Sequence, residues 1–121
     1  EHISFDWGDS QRVQRMTRLL QTREAHTRDS FIEAQLDSVS PTARTLLPLI
    51  GGELWYQSQS VPTDSPAGRR QTALDLLANW NGEMNEHLPE PLIYAAWLRA
   101  LHKRLIVDEL GPLHEAFTHL V

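Results

Sequence analysis

The stretch Glu90-Pro91-Leu92-Ile93-Tyr94-Ala95-Ala96-Trp97-Leu98-Arg99-Ala100-Leu101-His102-Lys103-Arg104-Leu105-Ile106-Val107-Asp108 decides the fold. Wound as an α-helix, Tyr94, Trp97, Leu98, Leu101 and Leu105 fall within about 100° of arc, and Arg99 and Lys103 lie opposite. The spacing predicts a long helix that starts near Pro89 or Pro91 and runs to about Asp108. Gly111-Pro112 stops it, and Leu113 to Leu120 adds one or two further turns.

Helical periodicity continues upstream. Arg69 to Asn79 carries Ala73, Leu74, Leu77 and Trp80 on one side and Asp75 on the other, and Asn81-Gly82 ends it with a turn signal. Residues 57–68 are Ser, Gln, Pro, Thr, Asp and Gly with little apolar content, which predicts a surface loop. Ser40-Pro41 opens an earlier helix, with serine as cap and proline in the first turn, where its missing N–H costs nothing. Pro48 and Gly51-Gly52 then predict a kink or break before Leu54 and Trp55. Thr27 caps a short helix to about Asp37 with Phe31, Ile32 and Leu36. Asp9 or Ser10 caps the first helix, to about Glu24, with Val13, Met16, Leu19 and Leu20 in an arc of about 120°. The reading is an all-α bundle of about five helices in one helical domain over residues 1–121.

Composition agrees with that class. The 121 residues are 40% hydrophobic and 22% charged, and a chain of this length can bury roughly 65–70% of its unfolded surface without disulfides or a structural metal. No cysteine is present, which excludes disulfides, thiolate zinc sites and a cysteine nucleophile. A net charge of −5 argues against nucleic acid as a partner, since phosphate contacts need a surplus of Lys and Arg. No run approaches the ~20 apolar residues of a membrane span, so no membrane partner is expected. The start at Glu1, without methionine and soon helical, leads us to expect a processed or excised piece of something longer.

Few motifs carry chemistry. His114-Glu115-Ala116-Phe117-Thr118-His119 is one residue too long for the zinc-protease helix: its histidines are five apart and diverge by about 140°. His2, His26, His87 and His102 show no ligand spacing. No Gly-x-Ser-x-Gly elbow accompanies the serines, and Gly51-Gly52 lacks the residues of a phosphate loop. Arg12 stands out. Arg15 and Arg18 point away from the apolar arc of the first helix, whereas Arg12 and Arg23 fall inside it, and a guanidinium cannot be buried without acceptors around it. Either Arg12 pairs internally, with Asp37 as a candidate, or it faces a groove shared with another chain segment. Trp80 and Trp97 are expected in the core. Trp7 and Trp55 are candidates for contact with a partner surface.

Several of these stretches, taken in order, resemble the penicillin acylase (penicillin amidase) family of N-terminal-nucleophile hydrolases, in the helical part of the β subunit. They are Phe5-Asp6-Trp7-Gly8, Gln11-Arg12-Val13-Gln14-Arg15-Met16 with Leu19-Leu20, His26-Thr27-Arg28-Asp29, Gln35-Leu36-Asp37-Ser38 with Ser40, Ala43 and Leu47-Pro48, then Ala73-Leu74, Leu77, Trp80-Asn81-Gly82-Glu83-Met84, Leu92-Ile93-Tyr94 with Trp97-Leu98, and Val107-Asp108-Glu109-Leu110. The resemblance implies a helical fragment of a larger αββα hydrolase, cut from one precursor. In such enzymes the N-terminal serine of the β subunit is both nucleophile and, through its amine, general base. Glu1 is not such a residue, and the oxyanion-hole asparagine is expected just before the Phe5–Trp7 stretch. The family commonly has Asp where Asn81 stands, and Pro91 occupies a place usually held by a helix former. Arg12, matching the family's helix start, would play a supporting catalytic role by orienting the catalytic asparagine and serine. The resemblance further implies amide hydrolysis of an acylated small molecule, such as a β-lactam side chain or an N-acyl homoserine lactone. The remaining α and β subunit segments would be partners, and the site would be bacterial periplasm or outside the cell. No cofactor is expected in the chemistry, although such enzymes often carry a structural calcium. The competing expectation is an autonomous, non-catalytic helical protein-interaction module.

Overall fold

The computed structural model describes residues 10–55 and 62–118, with the side chains of 53–55, 117 and 118 excepted. Trp7, the Phe5–Trp7 stretch, His2 and His119 lie outside the described residues, as does the side chain of Trp55. The elements are α1 (Gln11–Gln21), α2 (Arg28–Leu36), α3 (Pro41–Trp55), α4 (Pro66–Asn79), α5 (Glu90–Leu110), a 3-10 turn (Gly111–Leu113) and α6 (His114–Thr118). Extended pairing among the described residues is limited to one antiparallel bridge between Val39 and Glu83. The fold is all-α, as the periodicity predicts.

The caps explain most boundaries. Thr27 and Ser30 form a reciprocal capping box: the Ser30 N–H donates to Thr27 Oγ1 at 3.2 Å and the Thr27 N–H to Ser30 Oγ at 3.0 Å. Ser40 Oγ accepts the Ala43 N–H at 3.2 Å, with Pro41 in the first turn. The same Ser-Pro device starts α4 earlier than the predicted Arg69. Ser65 Oγ accepts the Gly68 N–H at 3.0 Å, and Pro66 follows it as the first helical residue. A Cβ at Gly68 would run into the Pro62 carbonyl, so this tight entry needs glycine. Pro91 sits in the first turn of α5, where no helical acceptor awaits its absent N–H.

Of the kink or break expected at Pro48 and Gly51-Gly52, a break does not occur: α3 is one helix through both. An interior proline costs about 3 kcal/mol in a helix, and packing on the opposite side offsets it. Pro48 and Leu49 face outward while Leu46, Leu47 and Ile50 are half-buried and Gly51 is buried.

The core is small. Ala43 from α3, Leu77 from α4 and Tyr94 from α5 are its buried hydrophobics, ringed by partly buried Leu47, Trp80, Ile93, Trp97 and Leu98. The Tyr94 ring lies 5.4 Å from Trp80 and 6.1 Å from Trp97, centroid to centroid, distances at which aromatic pairs attract. Leu105, predicted on the same face, is 57% exposed. With 21 residues against 14 in α4, α5 is the longer helix by about 10 Å. The chain exposes 10347 Å², whereas a compact monomer of 13.8 kDa exposes about 6,600 Å². Phe31, Ile32 and Leu36 of α2 are among the exposed large hydrophobics.

The buried Tyr94 hydroxyl has no hydrogen-bond partner among the described residues, and burial raises its pKa. Tyr94→Phe keeps both ring contacts and removes the orphan group, so it should stabilise the chain by about 1 kcal/mol, read as a higher urea midpoint. A loss of that size would show that the hydroxyl is satisfied in solution.

Candidate functional site

The residues singled out from sequence converge on α1. This helix contacts α2 and α3, but not through the face that its apolar pattern suggests. Gln11, Arg15 and Leu19, spaced i, i+4, i+8, are its half-buried residues. Val13 is 69% exposed, and Met16 and Leu20 are exposed too. The helix is turned so that most of its apolar stripe looks away from the chain's own core.

That rotation corrects the reading of the arginines. Arg15, expected to point outward, points inward and grips Asp37 with one edge of its guanidinium: Nε donates to Oδ2 at 2.8 Å and Nη2 to Oδ1 at 2.5 Å. Arg12 is exposed and makes no ion pair or hydrogen bond with another described residue. The internal pair with Asp37 is therefore taken by Arg15, and the face carrying Arg12, Val13 and Met16 is left open. Arg18 points outward as expected. Arg23 reaches Glu33 on α2 at 2.8 Å, in an exposed pair of the kind that contributes little.

The Arg15–Asp37 clasp is the stronger link. Its side chains are 21% and 13% exposed, and planar two-point pairing is the geometry in which arginine binds carboxylate best. Hydrogen bonds from Arg15 hold the Asp37 carboxyl below the usual carboxylate range against the opposing cost of burial, with smaller help from the Arg15 charge, the Val39 N–H and the Arg44 charge.

Beneath the clasp, α1 and α2 enclose a hollow of about 250 Å³ lined by Leu19, Thr22, His26, Ser30 and Glu33, among others. His26 bridges its walls, with Nε2 2.8 Å from the Leu20 carbonyl and Nδ1 3.2 Å from Ser30 Oγ. Ser30 and His26 touch, yet this is not a nucleophile and its base. Ser30 is buried and committed to the capping box, and the far ring nitrogen of His26 faces a carbonyl rather than a carboxylate.

The second polar assembly lies at the Trp80-Asn81-Gly82-Glu83 turn. Asn81 Oδ1 accepts the Glu83 N–H at 2.8 Å, a role that an aspartate carboxylate would fill equally. Gly82 has φ +84°, which favours glycine. The Trp80 indole donates to the Glu83 carbonyl at 2.9 Å, and Arg44 Nε donates to the Asn81 carbonyl at 2.7 Å. Neither the Arg15 nor the Arg44 contact was visible in sequence, because their partners lie 22 and 37 residues away and no local spacing encodes them. His114 Nδ1 lies 2.9 Å from the Gly111 carbonyl. Among the described residues no group of three or more His, Asp or Glu could hold a metal ion. No helix among them is long and apolar enough to cross a membrane.

Asp37→Asn should cost about 1–3 kcal/mol, measured by urea unfolding at neutral pH. The sign of the pH dependence follows from the lowered pKa. The folded carboxylate holds its proton less tightly than the unfolded one, so the clasp stabilises fully above about pH 4 and fades as pH falls through the depressed folded value. The unfolding midpoints of wild type and variant should therefore converge in acid.

The model of the penicillin amidase family matches residues 1–121. No curated protein and no solved structure matches the chain. A match over the entire length, on a helical chain that carries the quoted stretches in order, shows that this protein belongs to the penicillin amidase family.

Proposed function

We propose that this chain is the helical part of the β subunit of a penicillin acylase-like amidohydrolase, a single helical unit processed or excised from a longer precursor. The observation that carries the reading is α1, an amphipathic helix whose apolar face is turned outward. Burying Val13, Met16 and Leu20 against another segment would contribute roughly 1.5–3 kcal/mol per side chain. The α and β subunit segments of the parent are the natural cover. Exposed Leu36, Leu92 and Leu113 offer further contact of the same kind.

Arg12 stands at the edge of that outward face, and its role follows from guanidinium chemistry. An asparagine that stabilises an oxyanion must aim its amide N–H outward, and a fixed cation donating to the amide oxygen holds it in that orientation and polarises it. Covered by the parent, Val13 and Met16 would exclude water around Arg12 and strengthen its field. The nucleophilic serine and the asparagine would come from other segments. The substrate class is an acyl amide, either a β-lactam side chain or an N-acyl homoserine lactone, and the compartment is bacterial periplasm or outside. The same exposed apolar surface supports a second reading, an autonomous helical module that binds a separate protein without catalysis.

Hydrolysis of a chromogenic phenylacetyl or fatty-acyl amide by the full-length parent separates the two readings. The parent should turn over one of them and this chain neither, and inactivity of both proteins leaves the interaction module. In an active parent, Arg12→Ala should lower kcat/KM at least about 100-fold while the urea midpoint of this chain hardly moves, since the residue is exposed here. Full turnover by the variant would remove Arg12 from the machinery.

A further inference from the structure

A cleft of about 380 Å³ opens between α3 and the C-terminal end of α4, on different residues from the α1 face. Ala43, Leu47, Leu77 and Trp80 line its apolar part, and Arg44 stands beside them. Its volume lies in the lower part of the range of about 300–1,000 Å³ for small-ligand pockets. Ala43 and Leu77 belong to the buried core, at 0% and 4% exposure, so the floor is fixed by the packing that holds three helices together.

Arg44 is exposed, yet its side chain is held on two sides. Nε donates to the Asn81 carbonyl at 2.7 Å, and the stem lies over Gly82, where a Cβ would stand 3.0 Å from Arg44 Cγ. The turn beneath is itself tied down, because Gly82 gives its carbonyl to the Ser40 N–H at 2.8 Å. With Nε engaged, the Nη1 and Nη2 end of the guanidinium has no hydrogen-bond partner among the described residues. Asp37 is a carboxylate whose charge Arg44 feels, but both of its oxygens are taken by Arg15, so the Arg44 charge is not consumed by an ion pair. A guanidinium whose direction is set in advance loses less entropy on binding a carboxylate than a free surface arginine.

We infer that this cleft binds a small monocarboxylate with an apolar body, its carboxylate accepting from the Nη end of Arg44 and its body lying over Leu47, Pro48 and Trp80. An amine would meet the guanidinium charge, and a phosphate would leave the apolar part of the cleft in water. The inference rests on the cleft alone and does not depend on the acylase reading.

The test is an NMR titration of this chain at neutral pH, with its fold checked by circular dichroism, using 4-phenylbutyrate and its neutral analogue 4-phenylbutyramide. The Gly82 amide and the Trp80 indole signals should shift and saturate with the carboxylate at about 1 mM, and the amide should bind at least about tenfold more weakly. Arg44→Gln should remove that preference; it also breaks the bond to the Asn81 carbonyl, so signals of the Asn81–Glu83 turn move in the free variant, while the circular dichroism and the signals of α1 and α2 should stay in place. Equal affinity for the two compounds in the wild type would show a merely apolar cleft and overturn the inference, as would the absence of saturable shifts at these residues. Equilibrium dialysis of the same carboxylate against the full-length parent completes the test. Binding to this chain but not to the parent would mean that another segment fills the cleft, and would overturn it too.

Discussion

The fold depends on one short crossing of two loops. Between α2 and α3 the chain passes through Ser38, Val39 and Ser40, and between α4 and α5 through Gly82, Glu83 and Met84. The Ser40 N–H donates to the Gly82 carbonyl at 2.8 Å, and the Met84 N–H to the Ser38 carbonyl at 3.0 Å. These two bonds join segments more than 40 residues apart and set the start of α3 against the end of α4. Residues 37 to 44 serve several ties at once: Asp37 receives Arg15 from α1, Ser40 caps α3, and Arg44 reaches back to Asn81. The Ala43, Leu77 and Tyr94 core sits where this crossing brings three helices together. At the Ser40–Gly82 end of the crossing Gly82 is buried and Ser40 half-buried, so that pair of polar groups must stay bonded.

From that crossing follows the orientation of α1. A helix with an apolar stripe ordinarily buries it against its own domain, but Asp37 captures Arg15, which lies on a different side. A charge-assisted, two-point hydrogen bond in a partly buried setting outweighs a few loosely placed apolar contacts. Half-burial therefore falls on Gln11, Arg15 and Leu19 while Val13 and Met16 face out. The same outward habit recurs on α2, where Phe31 and Leu36 are exposed and the buried residue is Ser30, held by capping rather than by packing. The exposed apolar side chains of α1 and α2 are the surface on which the proposal of a covering segment rests.

The two arginine assemblies divide the chain's cationic chemistry by physical role. Arg15 is structural because its charge is spent on Asp37. Arg44 is structural through Nε and open through its Nη end. Arg12 is open altogether among the described residues. Of the three, the helical wheel marked only Arg12, through its position within the apolar arc. That geometry is correct, but the helix is rotated so that only the Leu19 edge of the arc faces inward, while Val13, Met16 and Leu20 are exposed.

Local signals were legible where local chemistry decides. Thr27 as a cap, Ser40-Pro41 as a helix start, Gly111 after α5 and the Asn81-Gly82 turn were all readable from residues within a few positions of one another. The Ser65-Pro66 start carries the same signal as Ser40-Pro41, and it was obscured by the polar composition of the residues before it. A break at Pro48 is the converse case: its local penalty is offset by packing from other helices, so α3 continues through it. The helical class, most helix ends and the positions of the apolar stripes are readable from the residues, because capping, turn geometry and 3.6-residue periodicity act over a few positions. Which side of α1 faces inward, which arginine holds Asp37 and where the Arg44 cleft opens are set by packing between distant segments. Those outcomes turn on partners 22 to 37 residues distant, and a periodic pattern specifies angles around a helix axis without specifying what lies in any of those directions.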